Sequence, residues 1–332
     1  MKPSSGRAKL LPVVQSVVLI VAIVGALLLS GCIDSTDESM TPGDYKGTIT
    51  VSGAWALYPM MVKWAEEYQA IHPQVRIDIS AGGAGKGMSD ALGGMVDIGM
   101  VSRNIYPEEI ERGALWVAVT KDAVVPTIHA QNPVLQDLLS KGVQKQTLLD
   151  LWITGTTTTW GAVAGTDAAE EINVYTRSDA CGAAETWAAF LGGHNQEDLL
   201  GVAVYGDPGL AQAVQDDTRG IGYNNLNFAY DPHTGVAVAG ITVLPLDLNG
   251  NGVLDADEDF YETKEELMAA IASGAYPSPP SRDLNLVTKG KPTGLTRDFI
   301  LWCLTDGQQY VTETGYIPLS EEKIAAERIK IA

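Results

Sequence analysis

From Gly47 onward, short apolar runs alternate with stretches whose apolar residues recur every three or four positions, the pattern of strands interleaved with helices. Residues 48–51 are β-branched and predict a strand, broken by Ser52-Gly53-Ala54. Residues 55–69 follow as a helix with Tyr58, Met61, Val62, Ala65 and Tyr68 on one face and Pro59 in the first turn. A strand over 75–80 leads into a glycine-rich loop over 81–87 and a helix starting at 88–92. The strand over 96–100 ends at Val101-Ser102-Arg103. Two strands, 116–120 and 123–128, come next, the second carrying the chain out of the first packing unit. The middle third predicts a helix over 147–152, a strand over 172–176, a loop over 177–182, an amphipathic helix over 183–191 and a tight strand over 220–223 near the return crossing. The last third predicts strands over 241–246 and 284–287 and helices over 264–273 and 297–314. Such alternation defines an α/β fold.

The N-terminus has a different pattern. Lys2, Arg7 and Lys9 precede an apolar run over 10–29 that only Gln15 and Ser16 interrupt, and the run closes on Leu29-Ser30-Gly31-Cys32, the form of a lipoprotein cleavage site. Cleavage with lipid on Cys32 is one reading of residues 1–31; an uncleaved helix is the other. Both export the chain and leave it anchored to the outer face of the cytoplasmic membrane. Residues 32–46, polar and containing Pro42 and Gly43, read as a flexible tether. The 332 residues, 45% apolar and 19% charged, suffice for two domains with their own cores. A net charge of −19 repels nucleic acid. An anion bound by such a body must be held by locally aimed N–H groups and a buried cation.

Three strand-to-helix loops fit that requirement: 52–54, 82–87 and 179–183. Each aims unpaired N–H groups from a helix start, where the dipole favours negative charge. Arg177 stands beside the third and offers a bidentate grip on an oxyanion. Asp179 either orients that guanidinium or caps the next helix. The 82–87 loop is not a nucleotide loop: Lys86 is followed by Gly87, not by the hydroxyl residue that holds magnesium, and too few residues separate it from Gly82.

Residues 247–258 form a calcium-loop pattern. Asp247, Asn249, Asn251, Asp255 and Glu258 supply oxygens at positions 1, 3, 5, 9 and 12, with the Val253 carbonyl at 7, Gly252 at the sharp turn and Leu254 as a core anchor. A strand-like segment before it and a helix after it predict a lone structural Ca²⁺ loop that staples an insertion on the distal lobe. Enzyme signatures are missing: His72, His129, His194 and His233 lie in no hydrolase or metalloprotease motif. Cys181 at a helix start is a candidate nucleophile, but its loop contains no base. Cys181 and Cys303 read as one loop and one core cysteine, with a disulfide between them left open. Trp64, Trp152, Trp160, Trp187 and Trp302 read as packing, while Trp55 points toward the gap.

Over residues 47–319 the chain resembles the phosphate-binding proteins of ABC phosphate importers. The matching stretches are Ser52-Gly53-Ala54 with Pro59 and 63–68, the glycine loop, Val96-Asp97-Ile98-Gly99, Arg177-Ser178-Asp179, Gly220-Ile221-Gly222-Tyr223 and Gly315-Tyr316-Ile317-Pro318-Leu319. The resemblance implies a two-lobed, type II periplasmic-binding fold with two crossing hinge strands, lobe 1 at 47–125 plus 240–332 and lobe 2 at 126–239. It also implies capture of inorganic phosphate or a related anion between the lobes, delivery to an ABC permease, a monomer and no catalysis. The ligand residues it implies are Ala54, Trp55, Ala84, Gly85, Ser102, Arg177, Asp179, Cys181, Gly182 and Ala183. Several depart from the family. Trp55 or Ala56, Ala84, Cys181 and Ala183 stand where hydroxyls usually bind phosphate, and Ser102 where an acidic residue often follows the third strand. Phosphate is the first expectation; tungstate, molybdate, sulfate or a carboxylate remain alternatives, as does a ligand-binding sensor without a transporter.

Overall fold

The computed structural model describes residues 45–332. The signal segment, Cys32 and the tether up to residue 44 lie outside the described residues. The first lobe opens with β1 (Gly47–Gly53), α1 (Tyr58–Ile71), β2 (Val75–Ala81), α2 (Ala84–Gly93), β3 (Ile98–Val101) and α3 (Pro107–Glu111). β1 lies parallel to both β2 and β3. A 3-10 turn at Trp55–Leu57 precedes α1, so the helix begins later than its periodicity suggests, and it buries Met60, Met61, Trp64, Ala65 and Tyr68.

β4 (Ala114–His129) is one 16-residue strand where the pattern suggested two. The polar pair Lys121-Asp122 interrupts the apolar run but not the strand: Lys121 exchanges backbone hydrogen bonds with Ile317, and Asp122 pairs in register with Arg282. This is the point where the strand changes lobe. Beyond it come α4 (Leu135–Lys141), β5 (Val143–Gln144), α5 (Lys145–Leu149) running into a π turn, α6 (Trp160–Ala164), β6 (Asn173–Arg177), α7 (Gly182–Phe190), β7 (Val202–Val204), α8 (Gly206–Gln215), β8 (Gly220–Asn225) and α9 (Leu226–Ala229). β9 (Ile241–Val243), β10 (Leu246–Asp247) and α10 (Lys264–Ser273) follow, and β11 (Ser281–Lys289), α11 (Gly294–Cys303) and α12 (Glu321–Ile331) complete the chain. The main sheet runs β2-β1-β3-β11-β4-β8-β6-β7, with β9 also on β4. The first half of β4 pairs antiparallel with β11 and the second half with β8 and β9, so one strand carries the sheet across both lobes.

Two cores flank this crossing. One gathers Ile49, Trp64, Met100, Leu286, Phe299 and Trp302; the other gathers Trp152, Trp160, Trp187, Tyr223, Tyr230 and Tyr276. The lobe boundary differs from the sequence expectation. Val243, Leu244, Leu246, Tyr261, Leu267 and Ile271 belong to the second core, so the segment from 241 to 276 is not part of lobe 1. The cause is β9, which is locked antiparallel to the second-lobe end of β4 (Thr127↔Val243) and turns the apolar residues after it toward that core. The chain returns through 277–280 into β11, whereas β8, expected near the return, is an inner strand of the second lobe. The helix expected over 297–314 stops at Cys303, and a 3-10 turn (Asp306–Tyr310) follows. Gly307 packs beneath Trp64, whose Nε1 donates to its carbonyl at 2.8 Å.

Trp152 is fully buried against Trp187 and Tyr223 and donates to the Tyr175 carbonyl. Trp152→Ala is expected to cost roughly 3–5 kcal/mol through the cavity it leaves, read as a lowered urea midpoint with an unchanged slope.

Candidate functional site

β6 ends at Arg177, whose side chain is 0% exposed. The two turns that follow bring carboxylates to it. Arg177 Nε donates to Asp179 Oδ1 at 2.8 Å and Nη2 to Asp179 Oδ2 at 2.6 Å, a parallel fork. Nη1 lies 2.8 Å from Asp207 Oδ2, near the start of α8. That contact is an ion pair at hydrogen-bonding distance, so Asp207 already occupies the third guanidinium nitrogen. Asp179 orients the guanidinium and does not cap α7; the cap is Cys181, whose Sγ accepts from the Ala184 amide. Asp179 Oδ1 also accepts from the Gly206 amide, and Asp207 Oδ1 accepts from Asn225 Nδ2 at 2.6 Å. Burial works against the Arg177 charge, but Asp207 and the other neighbouring anions raise its pKa overall. Burial raises the Asp207 pKa, and Arg177 opposes the rise.

Around this arginine the helix starts of the two lobes meet backbone to backbone. The Gly85 amide, in the first turn of α2, donates to the Ala180 carbonyl at 3.0 Å. A Cβ on Gly83 would lie 2.6 Å from that same carbonyl, and a Cβ on Gly182 would lie 2.1 Å from the Ser102 carbonyl. Trp55 stands edge-on to Tyr205 and against Gly206, spanning the gap, with its indole N–H buried and unpartnered. Ala54, Ala84, Cys181 and Ala183 are buried beside these contacts. Of the residues expected at the site, Trp55, Gly85, Ser102, Asp179 and Gly182 meet across the lobes here, and Arg177 joins them through Asp179. Their free donors are fewer than expected: the Ala54 amide is bound to the Met100 carbonyl and the Ser52 hydroxyl to Asp90.

Burial pushes the Cys181 thiol up to about 12, so it is a protonated thiol and not a nucleophile. Cys181 and Cys303 are both free, and they sit in different cores.

Sequence reasoning missed the residues behind the arginine. Gln196 receives the Cys181 amide and donates to the Asp179 carbonyl, fixing the 179–181 turn. Arg282, on β11 just past the return crossing, donates to Thr186 Oγ1 at 3.0 Å and to Asn225 Oδ1. Arg282 Nη2 also lies 3.5 Å from Asp122 on β4. A buried polar chain thus runs from the crossing strands through Arg282, Asn225 and Asp207 to Arg177. No local signal marks it, because its members lie on segments far apart in the sequence. A cavity of about 760 Å³ opens beside the crossing, between Arg103 and Trp116 on one side and Glu185 and His194 on the other. Arg177 does not line it.

Two lobes on a continuous sheet, closing on a buried arginine at converging helix starts, define a two-lobed solute-binding protein. The chain belongs to the PBP superfamily domain family, whose profile matches residues 39–306. This is a family of substrate-binding proteins, not of enzymes. The chain is 27% identical over 297 residues to the phosphate-binding protein PstS of Bacillus subtilis, covering 88% of each chain. It is 25% identical to the PstS of Methanocaldococcus jannaschii, covering 97% of this chain and 95% of that one. An ABC-type phosphate transport receptor from Vibrio cholerae superposes with a TM-score of 0.60 at 20% identity, over 82% of this chain and 100% of that one. Among the described residues no helix is long and apolar enough to cross a membrane.

Gly182→Ala is expected to leave each lobe folded but block their approach, because the Ser102 carbonyl cannot yield; small-angle scattering would show a larger radius of gyration than wild type. Asp122 supplies a pH test. Burial raises its pKa from the ordinary 3.8 to about 6, and the Arg282 charge only partly opposes the rise. The native state therefore keeps a proton that the unfolded chain releases. The stability this proton confers is complete below the ordinary carboxylate pKa and is lost as pH rises through about 6. Between those values wild type should lose stability relative to Asp122→Asn by up to about 1.4 kcal/mol per pH unit. Parallel urea-midpoint curves for the two proteins would show an ordinary carboxylate.

Proposed function

We propose that this chain captures phosphate outside the cytoplasm and presents it to an ABC permease. The observation that carries this reading is Arg177, a wholly buried cation beside the point where helix starts of both lobes converge. An oxyanion entering there would compete with Asp207 for Nη1 and would need the lobes to part enough to free the Gly85 amide from the Ala180 carbonyl. The printed names of relatives covering most of the chain point to the same ligand. The closed lobes act as one rigid body, the form a permease distinguishes from the open one. In this reading the protein works as a monomer, held at the outer face of the membrane by lipid on Cys32 or by the uncleaved apolar segment. An acidic body leaves nucleic acid out as a partner.

A specific observation favours a second reading. Ala84, Cys181 and Ala183 line the junction where hydroxyl donors would satisfy phosphate oxygens, and each unmet acceptor costs on the order of 1–3 kcal/mol. A site poor in hydroxyls suits an oxyanion such as tungstate, molybdate or sulfate, or a small carboxylate.

Calorimetric titration with phosphate, sulfate, tungstate, molybdate and small carboxylates separates the two. Phosphate is expected to bind, and Arg177→Ala to weaken binding by at least about 30-fold, since truncating a buried charge partner costs about 2–5 kcal/mol. A flat phosphate response with heat from another anion would replace the ligand and keep the class. Undiminished phosphate binding by Arg177→Ala would remove the site.

A further inference from the structure

The segment over 247–258 takes no part in the anion site, yet its side chains are organised. β10 pairs with β5 (Leu246↔Val143) and sets Asp247 at the loop entrance, 4% exposed. The chain then wraps around this first carboxylate, which accepts from the Gly250 amide at 2.7 Å, the Gly252 amide at 2.8 Å and Gln144 Nε2 at 2.9 Å. Gly252 makes the sharp turn with φ +81, a conformation that favours glycine. Eleven positions after Asp247, Glu258 folds back over the loop start, where its Oε1 accepts from the Leu248 and Asn249 amides at 3.0 and 2.8 Å. Glu258 is only 4% exposed, and its Oε2 is buried without a partner. An uncompensated buried carboxylate oxygen is costly, and a cation is what compensates it.

The exposed side of the loop fits the same cation. Asn249 Nδ2 and Asn251 Nδ2 both converge on Asp255 Oδ2, at 2.8 and 2.7 Å. The Oδ1 atoms of Asn249 and Asn251 accept from the Asn251 and Val253 amides at 3.0 and 2.8 Å, so a cation here would draw these oxygens inward in place of the Nδ2 contacts. Among the described residues no three His, Cys, Asp or Glu side chains cluster closely enough to hold a metal unaided. Here the carboxylates are spaced by amide and carbonyl donors, and the ninth position of such loops often acts through a water.

We propose that residues 247–258 bind one Ca²⁺ through Asp247, Asn249, Asn251, the Val253 carbonyl, Asp255 and Glu258. The ion staples this insertion to the second lobe. The link to the lobe is polar and not the apolar anchor expected of Leu254, which is only half-buried: the Leu254 amide donates to the Ser140 carbonyl and Gln144 Nε2 to the Gly250 carbonyl. Asp247 and Leu248 also line a cavity of about 530 Å³ with Pro277 and Pro279 of the return crossing, so the staple firms the lobe wall beside the hinge. The proposal does not depend on which anion the cleft holds.

The full chain, purified in detergent and stripped with chelator, is titrated with CaCl2 by calorimetry and followed by thermal unfolding. One Ca²⁺ per chain, a raised Tm and much weaker binding of Mg²⁺ are expected. Glu258→Gln and Asn251→Ala should each weaken Ca²⁺ binding about tenfold or more. Asn251 is exposed, so its variant should match wild type in Tm without metal and decides the matter if Glu258→Gln does not fold. No heat and no Tm shift in wild type at millimolar Ca²⁺, or Ca²⁺ binding unchanged in Asn251→Ala, would overturn the site.

Discussion

The fork between Arg177 and Asp179, with Asp207 on the remaining nitrogen, is the constraint on which the rest of the architecture converges. A guanidinium stripped of water is tolerable only with charge partners in direct contact. Supplying them fixes the turn after β6, the start of α8 and, through Asn225, the end of β8. Three segments of the second lobe are thereby set by one cation. Asp179 grips the guanidinium on both of its oxygens, and Asp207 closes the third nitrogen at 2.8 Å. The first carboxylate therefore positions the arginine, and the second completes its charge compensation.

Closure of the lobes depends on the absence of side chains at the same junction. Gly83 and Gly182 face carbonyl groups of the opposite lobe at distances that no Cβ tolerates. The first turns of α2 and α7 thus come together across the lobes, and the Gly85 amide reaches the Ala180 carbonyl directly. The polar chain from Asp122 through Arg282 and Asn225 ties this junction to the strands that must bend when the lobes part. Opening and ligand release therefore disturb a common set of buried groups, which couples hinge and site without a separate relay.

Much of this was legible in the chain. Arg177, Asp179 and Gly182 are read together because strand, turn and helix start are contiguous, and local spacing carries their relation. The helix Lys264–Ser273 matches its periodicity because its capping box, Thr263 with Glu266, is equally local. What escaped depends on distant pairing. Arg282 meets Thr186 across 96 positions, and nothing near either residue announces the other. The lobe boundary was misplaced for the same reason: residues 241–276 have the apolar content of either core, and only the pairing of β9 with β4 decides which one they join. β4 looked like two strands because a polar pair in a long strand and a loop between two short strands share one pattern, and the partner residues Arg282 and Ile317 lie far along the sequence.

The acidity of the protein bears on how selective such a site must be. With a net charge of −19, the long-range field disfavours any anion, so capture depends on the last few ångströms, where aligned N–H donors outweigh the field. Weakly charged or poorly shaped ions gain too little there to overcome the approach. The junction is also short of hydroxyls, since Ala84, Cys181 and Ala183 offer none and Ser52 is committed to Asp90. In the proposed reading, amide dipoles and one guanidinium carry nearly all of the recognition. Such donors read charge and geometry more than they read the solute's own protons, because a protonated oxyanion also needs an acceptor. Asp207 and Asp179 are the acceptors nearest to Arg177, and burial makes the Asp207 carboxylate easier to protonate than an exposed one.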